Sequence, residues 1–250
     1  MEKNKKILLI GGNGNLGSAI IKSGFFKNLH SPSKKKLNIL NRNSIKNALN
    51  RSKFDSIINC AAMARIVKCE KSPAQAINTN IKGTYNLVKE ILNYEKKFKK
   101  KIKIFHISSD SVYPSMKGNY SEDANLGPYN VYGWTKLASE FLIRLIDKHT
   151  IIRTRFFTKS KINFKKSATD LFTSNIEISD LVKKIKIIYS KKYIGTVNVG
   201  FKRHSDFSAY KTYKNNLKPC KRKDIIKNLR VSLAKDSSMN LNLLRKIEKN

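Results

Sequence analysis

The sequence predicts an α/β fold built as a doubly wound parallel sheet. Three observations carry that reading. Short apolar runs alternate with helical patterns through about residue 155, as successive βαβ units require. The first run, residues 7–10, ends directly in the glycine-rich turn Gly11-Gly12-Asn13-Gly14-Asn15-Leu16-Gly17. A later run ends in Ser108-Ser109, hydroxyls at the carboxyl edge of such a sheet, where ligands sit in open α/β folds.

The elements follow in order. Residues 7–10, Ile-Leu-Leu-Ile, are wholly apolar and bounded by glycine, as a strand buried on both faces is. Residues 15–26 place Leu16, Ala19, Ile20 and Ile21 at helical spacing. A polar stretch and the short segment 37–40 come next, then a helical pattern over 44–51. Residues 54–59 read as the next strand. Residues 73–92 predict a long helix with Ala76, Ile77, Ile81, Tyr85, Leu87, Val88 and Ile91 as its apolar positions. Residues 102–107 form another strand. Pro128 stands near the start of a helix running to about residue 147, matching the preference of proline for a first turn. Residues 150–153 begin a further strand. Beyond residue 155 the pattern loosens. Residues 178–189 look helical, 196–199 look like a strand, 241–247 make a short helix, and 158–167 are polar and basic. The expected division is a dinucleotide-binding core over 1–155 and a shortened region over 156–250, interleaved with the last sheet strands.

The chain has 250 residues, with 52 Lys+Arg against 17 Asp+Glu and a formal net charge of +35. That length suits one large domain, or one with a small appendage, and buries a sizeable core. With 40% hydrophobic and 9% aromatic residues the chain is neither disordered nor of low complexity. Taken alone, the charge points to nucleic acid, an anionic membrane surface or another polyanion. The kind of charge argues otherwise. There are 42 Lys and 10 Arg, together with 29 Ile and 26 Asn, the bias that AT-rich codons produce. Arginine, the residue suited to bidentate phosphate and base contacts, is scarce, so nucleic acid is not the expected partner. Cys60, Cys69 and Cys220 are odd in number and lack C-x-x-C spacing, which gives no disulfide framework and no metal site. The apolar run after the basic start is shorter than the roughly seven residues of a signal core. No segment reaches the roughly 18 apolar residues of a membrane span. The expected location is cytoplasmic, without membrane.

Gly11, Gly14 and Gly17 have the spacing G-x-x-G-x-x-G between a strand and a helix. Glycine there permits a tight turn, close approach of backbone N–H groups to a pyrophosphate, and close helix–strand packing. The helix opening at Asn15 and Leu16 adds the partial positive charge of its N-terminus. The motif is a dinucleotide site in this context. An acidic residue after the second strand would favour NAD, but none occurs between Glu2 and Asp55. The region instead carries Ser33, Lys34 and Lys35, whose hydroxyl and ammonium groups suit a 2′-phosphate. NADP(H) is therefore preferred to NAD(H); the alternative is that these lysines are only part of the general excess.

Tyr132 and Lys136 are spaced Y-x-x-x-K, which places phenol and ammonium on one face of a helix. A nearby ammonium favours the phenolate and makes the phenol a better proton donor near neutrality. With Ser109 at the sheet edge, the set describes carbonyl reduction. Tyr132 protonates the forming alkoxide, Lys136 tunes Tyr132 and holds the nicotinamide ribose, and Ser109 bonds the carbonyl oxygen. His106 reads as a packed strand residue. Asp110 either orients the site or caps a turn, and Trp134 and Tyr113 either line a pocket or belong to the core. The basic run 96–101 reads as a solvated loop.

Several stretches resemble the extended short-chain dehydrogenase/reductases, whose fold is of the Rossmann type, and within them the dTDP-4-dehydrorhamnose reductase group and its sugar-nucleotide-binding relatives. They are 10–17, the segment Leu37-Asn38-Ile39-Leu40-Asn41, residues 54–62, Asn78-Thr79-Asn80, His106-Ile107-Ser108-Ser109-Asp110-Ser111-Val112-Tyr113, Tyr120-Ser121-Glu122-Asp123, and Pro128-Tyr129-Asn130-Val131-Tyr132-Gly133-Trp134-Thr135-Lys136-Leu137-Ala138. The resemblance covers residues 5–155 and implies Ser109, Tyr132 and Lys136 as the catalytic set. It also implies Ala61, Ala62 and Asn80 along the cofactor, and a nucleotide-sugar site made by the carboxyl-terminal part. The region after Phe157 is shorter than in that group, and Lys235-Asp236-Ser237-Ser238-Met239-Asn240 matches its closing motif only loosely. The activity so implied is NADP(H)-dependent reduction of a keto group on a nucleotide-activated deoxysugar, as in dTDP-rhamnose and polysaccharide biosynthesis. An epimerase or dehydratase with retained NAD, or a non-catalytic nucleotide-binding regulatory protein, is the alternative. A homodimer is one assembly open to the chain.

Overall fold

A computed structural model describes residues 5–229 and 231–249. Strand β1 (Ile7–Ile10) is buried throughout and runs into helix α1 (Asn15–Ser23), which Gly24 closes in the left-handed conformation at φ 64°. Strand β2 (Leu29–His30) is followed by α2 (Arg42–Ser52), capped by the Asn41 side chain accepting from the Ser44 N–H. Then come β3 (Ser56–Asn59), α3 (Ile66–Lys71) and α4 (Pro73–Ala76). A π-helical stretch, Ile77–Lys82, carries α4 into α5 (Gly83–Phe98). Strand β4 (Lys103–Ile107), helix α6 (Val131–Ile143) and strand β5 (His149–Thr154) complete the first half.

Beyond residue 155 lie four short strands, β6 (Phe156–Phe157), β7 (Lys166–Ala168), β8 (Phe172–Thr173) and β9 (Ile176–Glu177). Helix α7 (Ile178–Ser190), β10 (Gly195–Val199), β11 (His204–Ser205) and α8 (Asp206–Lys211) follow. The chain ends with β12 (Lys218–Cys220), α9 (Arg222–Leu229) and α10 (Asn242–Lys249).

Six strands form one sheet in the order β10-β5-β4-β3-β1-β2, parallel at every pairing. The chain winds outward from β1 to β2 and then crosses back to β3, leaving a crevice at the carboxyl ends of β1 and β3. One apolar cluster covers each face. Leu16, Ile20, Leu181, Ile185 and Leu244 pack on one side, and Ile45, Leu49, Leu87, Ile91 and Ile143 on the other. The fold is thus the doubly wound α/β architecture that the alternation predicts. The remaining short strands pair as β6 with β9, β7 with β12 and β8 with β11. Among the described residues no helix is long and apolar enough to cross a membrane.

Three local differences from the sequence reading have physical reasons. β2 has two residues, one half-buried and one exposed, so it leaves no apolar run to find. The long helix extends to Phe98 and contains the π stretch. Helix α6 starts at Val131, not Pro128, because Asn130 caps it: its Oδ1 accepts from the Gly133 N–H at 2.7 Å.

One buried ion pair ties these layers together. Arg153 of β5 and Glu140 of α6 are 0% and 1% exposed and meet at 2.8 Å between Nη2 and Oε2. Arg153 also donates from Nη1 to the Tyr113 hydroxyl at 2.9 Å and to the Glu122 carbonyl at 3.0 Å. Glu140 Oε1 accepts from the Ser108 hydroxyl at 2.5 Å. Arg153→Met strips the compensation from a buried carboxylate and should cost about 3–5 kcal/mol. Urea unfolding should show this as a lowered midpoint, and Arg153→Met/Glu140→Leu should lose less than the single variant.

Candidate active site

The crevice at the ends of β1 and β3 holds a cleft of about 260 Å³ lined by the glycine-rich turn, Lys34, Leu37 to Leu40, Cys60, Ala61, Ala62 and Thr79. Gly11 has φ +86°, and a Cβ on it would fall 2.7 Å from the Ala61 nitrogen. A Cβ on Gly17 would fall 2.3 Å from the Gly11 carbonyl oxygen. Both contacts are with backbone, so neither position tolerates a side chain without moving the turn. Gly14 is the N-cap of α1 and supplies no side-chain cap, which leaves first-turn N–H groups for a phosphate. No carboxylate lines the cleft. These features fit a dinucleotide.

The expected cofactor residues do not all face this cleft. Gly11, Gly14, Lys34, Ala61 and Ala62 line it. Ser33 and Lys35 do not; the Ser33 carbonyl accepts from the Lys36 and Leu37 N–H groups in a turn. Leu16 is 4% exposed and belongs to the core. The Asn15 side-chain oxygen accepts from Lys161 Nζ at 2.6 Å, which brings the basic segment after β6 over the turn. Asn80 is 1% exposed and supports the fold instead: its Oδ1 accepts from the Met63 N–H at 2.7 Å, and its Nδ2 donates to Thr135 Oγ1 at 2.8 Å. Cys60, Thr79 and Leu37 to Leu40 line the cleft and were not singled out as cofactor residues. The strand-end position of Cys60, just before Ala61, is the signal that could have found it.

Ser109 opens a single 3₁₀ turn, Asp110–Val112, after β4. Its Oγ accepts from the Ser111 N–H at 3.1 Å and donates to Asp110 Oδ1 at 3.1 Å. Tyr132, in the first turn of α6 and half-buried, lies beside Ser109. Burial raises the Tyr132 phenol above its ordinary value, the Ser109 hydroxyl opposes this, and Asp110, Cys69 and Tyr129 add to the rise. Asp110 is itself raised by burial, and its other oxygen accepts from the Ser237 hydroxyl at 2.7 Å. The structure therefore brings Ser109 and Tyr132 together; Ser109 itself caps the turn, and Asp110 orients Ser109.

Lys136 is placed differently from the helical spacing argument. It is 2% exposed, and its Nζ lies 3.1 Å from His106 Nε2 rather than bonding the Tyr132 phenol. Burial pushes Lys136 down to about 8, against the pull of Glu140 and Cys60. His106 is buried as expected, and burial with Lys136 nearby holds it well below the usual histidine range. Tyr113 is a core residue at 0% exposure, whereas Trp134 is 58% exposed.

A second polar group adjoins Asp110. Arg155 Nη2 donates to Asp206 Oδ2 at 3.1 Å, and Asn175 Nδ2 donates to Asp206 Oδ1 at 3.3 Å and to the Tyr210 hydroxyl at 3.1 Å. The charges of Arg155 and Asp110 act on each other. An arginine just past a buried strand, in a chain that otherwise uses lysine, was a signal for Arg155. Asp206 and Tyr210 on α8 had none.

The family model described as the RmlD substrate binding domain matches residues 5–183. The spore coat polysaccharide biosynthesis protein SpsK of Bacillus subtilis (strain 168) is 32% identical over 155 residues, covering 60% of this chain and 52% of that protein. A dTDP-4-dehydrorhamnose reductase of Sinorhizobium fredii is 28% identical over 141 residues, 55% of this chain and 46% of that protein. The chain thus spans about half the length of these curated relatives. The crystal structure of dTDP-4-dehydrorhamnose reductase from Bacillus anthracis str. Ames in complex with NADP superposes with a TM-score of 0.85 at 23% identity, covering 97% of this chain and 92% of that one. That likeness is one of fold, and it extends past the segment that the family model matches. The glycine turn, the serine pair at the sheet edge and the helix carrying Tyr132 all fall inside residues 5–183, and the chain belongs to the RmlD substrate-binding domain family.

Proposed function

We propose that the protein reduces a keto group on a nucleotide-activated deoxysugar with NADP(H). The observation that carries this reading is the placement of Tyr132 beside Ser109, next to a glycine-floored cleft. Cys60 lines the cleft and lies near Lys136 of the same helix as Tyr132. Lys34 in the cleft, with no carboxylate there, favours a 2′-phosphate over a free ribose 2′-hydroxyl. The names of the dTDP-4-dehydrorhamnose reductase and polysaccharide biosynthesis relatives point to the same substrate class.

Bound in the cleft, NADPH supplies a hydride. The Tyr132 hydroxyl donates its proton to the carbonyl oxygen, and Ser109 orients that oxygen by a hydrogen bond. The raised Tyr132 keeps the phenol protonated until the oxygen gains charge. Lys136, when charged and turned toward Tyr132, stabilises the phenolate left behind and holds the nicotinamide ribose. The α1 N-terminus takes the pyrophosphate and Lys34 the 2′-phosphate. Asp110 keeps Ser109 in place.

Six large apolar side chains lie exposed along the outer sides of two neighbouring helices: Ile77, Tyr85 and Leu92 on the π stretch and α5, and Trp134, Phe141 and Leu145 on and just past α6. Their spacing keeps each set on one helix face. A stripe of this kind is unusual on a monomer and favours a homodimer across these helices.

Turnover should be followed as loss of NADPH absorbance with a panel of 4-keto sugar nucleotides. Tyr132→Phe should lower kcat by about 10²–10⁴-fold while NADPH affinity stays within about twofold. Retained turnover would refute the role of Tyr132, and NAD carried through purification without net consumption would identify an epimerase or dehydratase instead. Sedimentation should show a dimer that Phe141→Glu converts to monomer. A monomeric parent protein would sink the dimer reading.

A further inference from the structure

His106 lies on β4 opposite Asn59 of β3 and Ile151 of β5, and is 1% exposed. Its neighbours determine which ring nitrogen carries the proton. Asn59 Oδ1 accepts from the Ala61 N–H at 3.2 Å, so Nδ2 is the atom that Asn59 turns toward His106 Nδ1, 3.2 Å away. Nδ1 therefore accepts, and in the neutral ring the proton sits on Nε2. On that side the Ser139 hydroxyl donates to the Lys136 carbonyl at 2.7 Å, which leaves its oxygen to accept from Nε2–H at 3.1 Å.

Lys136 Nζ lies 3.1 Å from the same Nε2. An ammonium has only protons to offer there and would oppose the N–H. An uncharged amine presents a lone pair and accepts. The observed position of Lys136 thus suits the amine. Burial acts in the same direction, pushing Lys136 down to about 8. The other groups facing the pair are accounted for. Glu140 acts on Lys136 but is held by Arg153, and the Cys60 thiol is pushed up to about 12 by burial. Tyr132 stands one turn back on the same helix face.

We propose that His106 is a positioning residue for Lys136: held as the Nε2–H tautomer by Asn59 and Ser139, it retains Lys136 as an uncharged amine in a withdrawn position, and uptake of a solvent proton releases the side chain toward Tyr132 and the cofactor cleft. The proposal rests on the role given above to Lys136. It goes further in making that role depend on a strand residue outside the Ser-Tyr-Lys set. The sign follows from the lowered Lys136. Below about pH 8 the lysine takes up its proton and leaves His106; as pH rises through about 8 it settles on Nε2–H.

Long-range 1H–15N spectra of the protein alone test the arrangement directly, with the His106 signal assigned by its loss in His106→Gln. Expected is a neutral Nε2–H ring from pH 6 to 9, with a resonance that moves through a midpoint near 8 and ceases to move in Lys136→Met. An imidazolium, an Nδ1–H tautomer, or a titration unchanged in Lys136→Met overturns the proposal. Calorimetric NADPH binding across pH 6–10 is the second measurement. The parent protein should lose affinity as pH rises through about 8. His106→Gln, whose amide can turn its oxygen to an ammonium, should move that midpoint up by about one unit. Ser139→Ala, which leaves the Nε2–H to Lys136 alone, should move it down. Midpoints that ignore both substitutions overturn the proposal, with unfolding curves confirming that each variant is folded. NADPH affinity independent of pH in every protein, with the histidine spectra as expected, refutes the cofactor contact of Lys136 and leaves the hold by His106 standing.

Discussion

The bidentate contact between Glu140 and Arg153 determines how α6 presents Tyr132 and Lys136 to the sheet edge. Tyr132, Lys136 and Glu140 succeed each other at four-residue steps along one face of α6. Glu140 is drawn to the sheet by a guanidinium that is itself fully buried and also bonded to Tyr113 and the Glu122 carbonyl. That contact sets the rotation of α6 about its axis. A slip of one residue would turn the helix by about 100° and carry both the phenol and the amine away from the sheet edge. The planar fork of arginine is what makes the restraint angular rather than merely attractive. Ser108, one residue before Ser109, joins the same carboxylate, so the strand end and the helix are registered against each other by one group.

What could be read from the sequence follows from how local each signal is. The buried strand β1 and the helix α7 declare themselves by apolar spacing within a few residues. Gly11 and Gly17 are legible because the turn itself demands glycine. Strand β2 is not legible, because two residues at the sheet edge are held by pairing with β1 rather than by any pattern of their own. Within the site, the spacing of Tyr132 and Lys136 rightly places both on one face, and Ser109 at the end of β4. Side-chain direction is another matter. Leu16 shares the turn with the glycines yet points into the core, and Asn80 supports Met63 and Thr135. The partner of Lys136 lies thirty positions away on a strand, and no helical periodicity could announce it.

The region after residue 155 does more than cover the sheet. It supplies β10 to the main sheet, and its Ser237 hydroxyl reaches Asp110 behind Ser109. Asp206 meets Arg155 beside the same carboxylate. The side of the site away from the glycine-floored cleft is therefore built from residues far apart in sequence. Short elements far apart in sequence can still close a site when their polar side chains meet partners at the edge of a rigid sheet.

The ion pairs sort by cation in a way the overall charge conceals. Arg42, Arg153, Arg155 and Arg203 pair with Glu90, Glu140, Asp206 and Asp236, whose exposures are 4%, 1%, 7% and 5%. The lysine pairs hold carboxylates nearer solvent, such as Asp55, Asp147, Asp180 and Glu248, with Glu95 the buried exception. A weakly hydrated, multidentate cation can follow a carboxylate inward, where a compact ammonium keeps its water. In a chain so weighted toward lysine, the arginines that pair mark carboxylates drawn inward. These four arginines form a sparse map of where the interior carries negative charge.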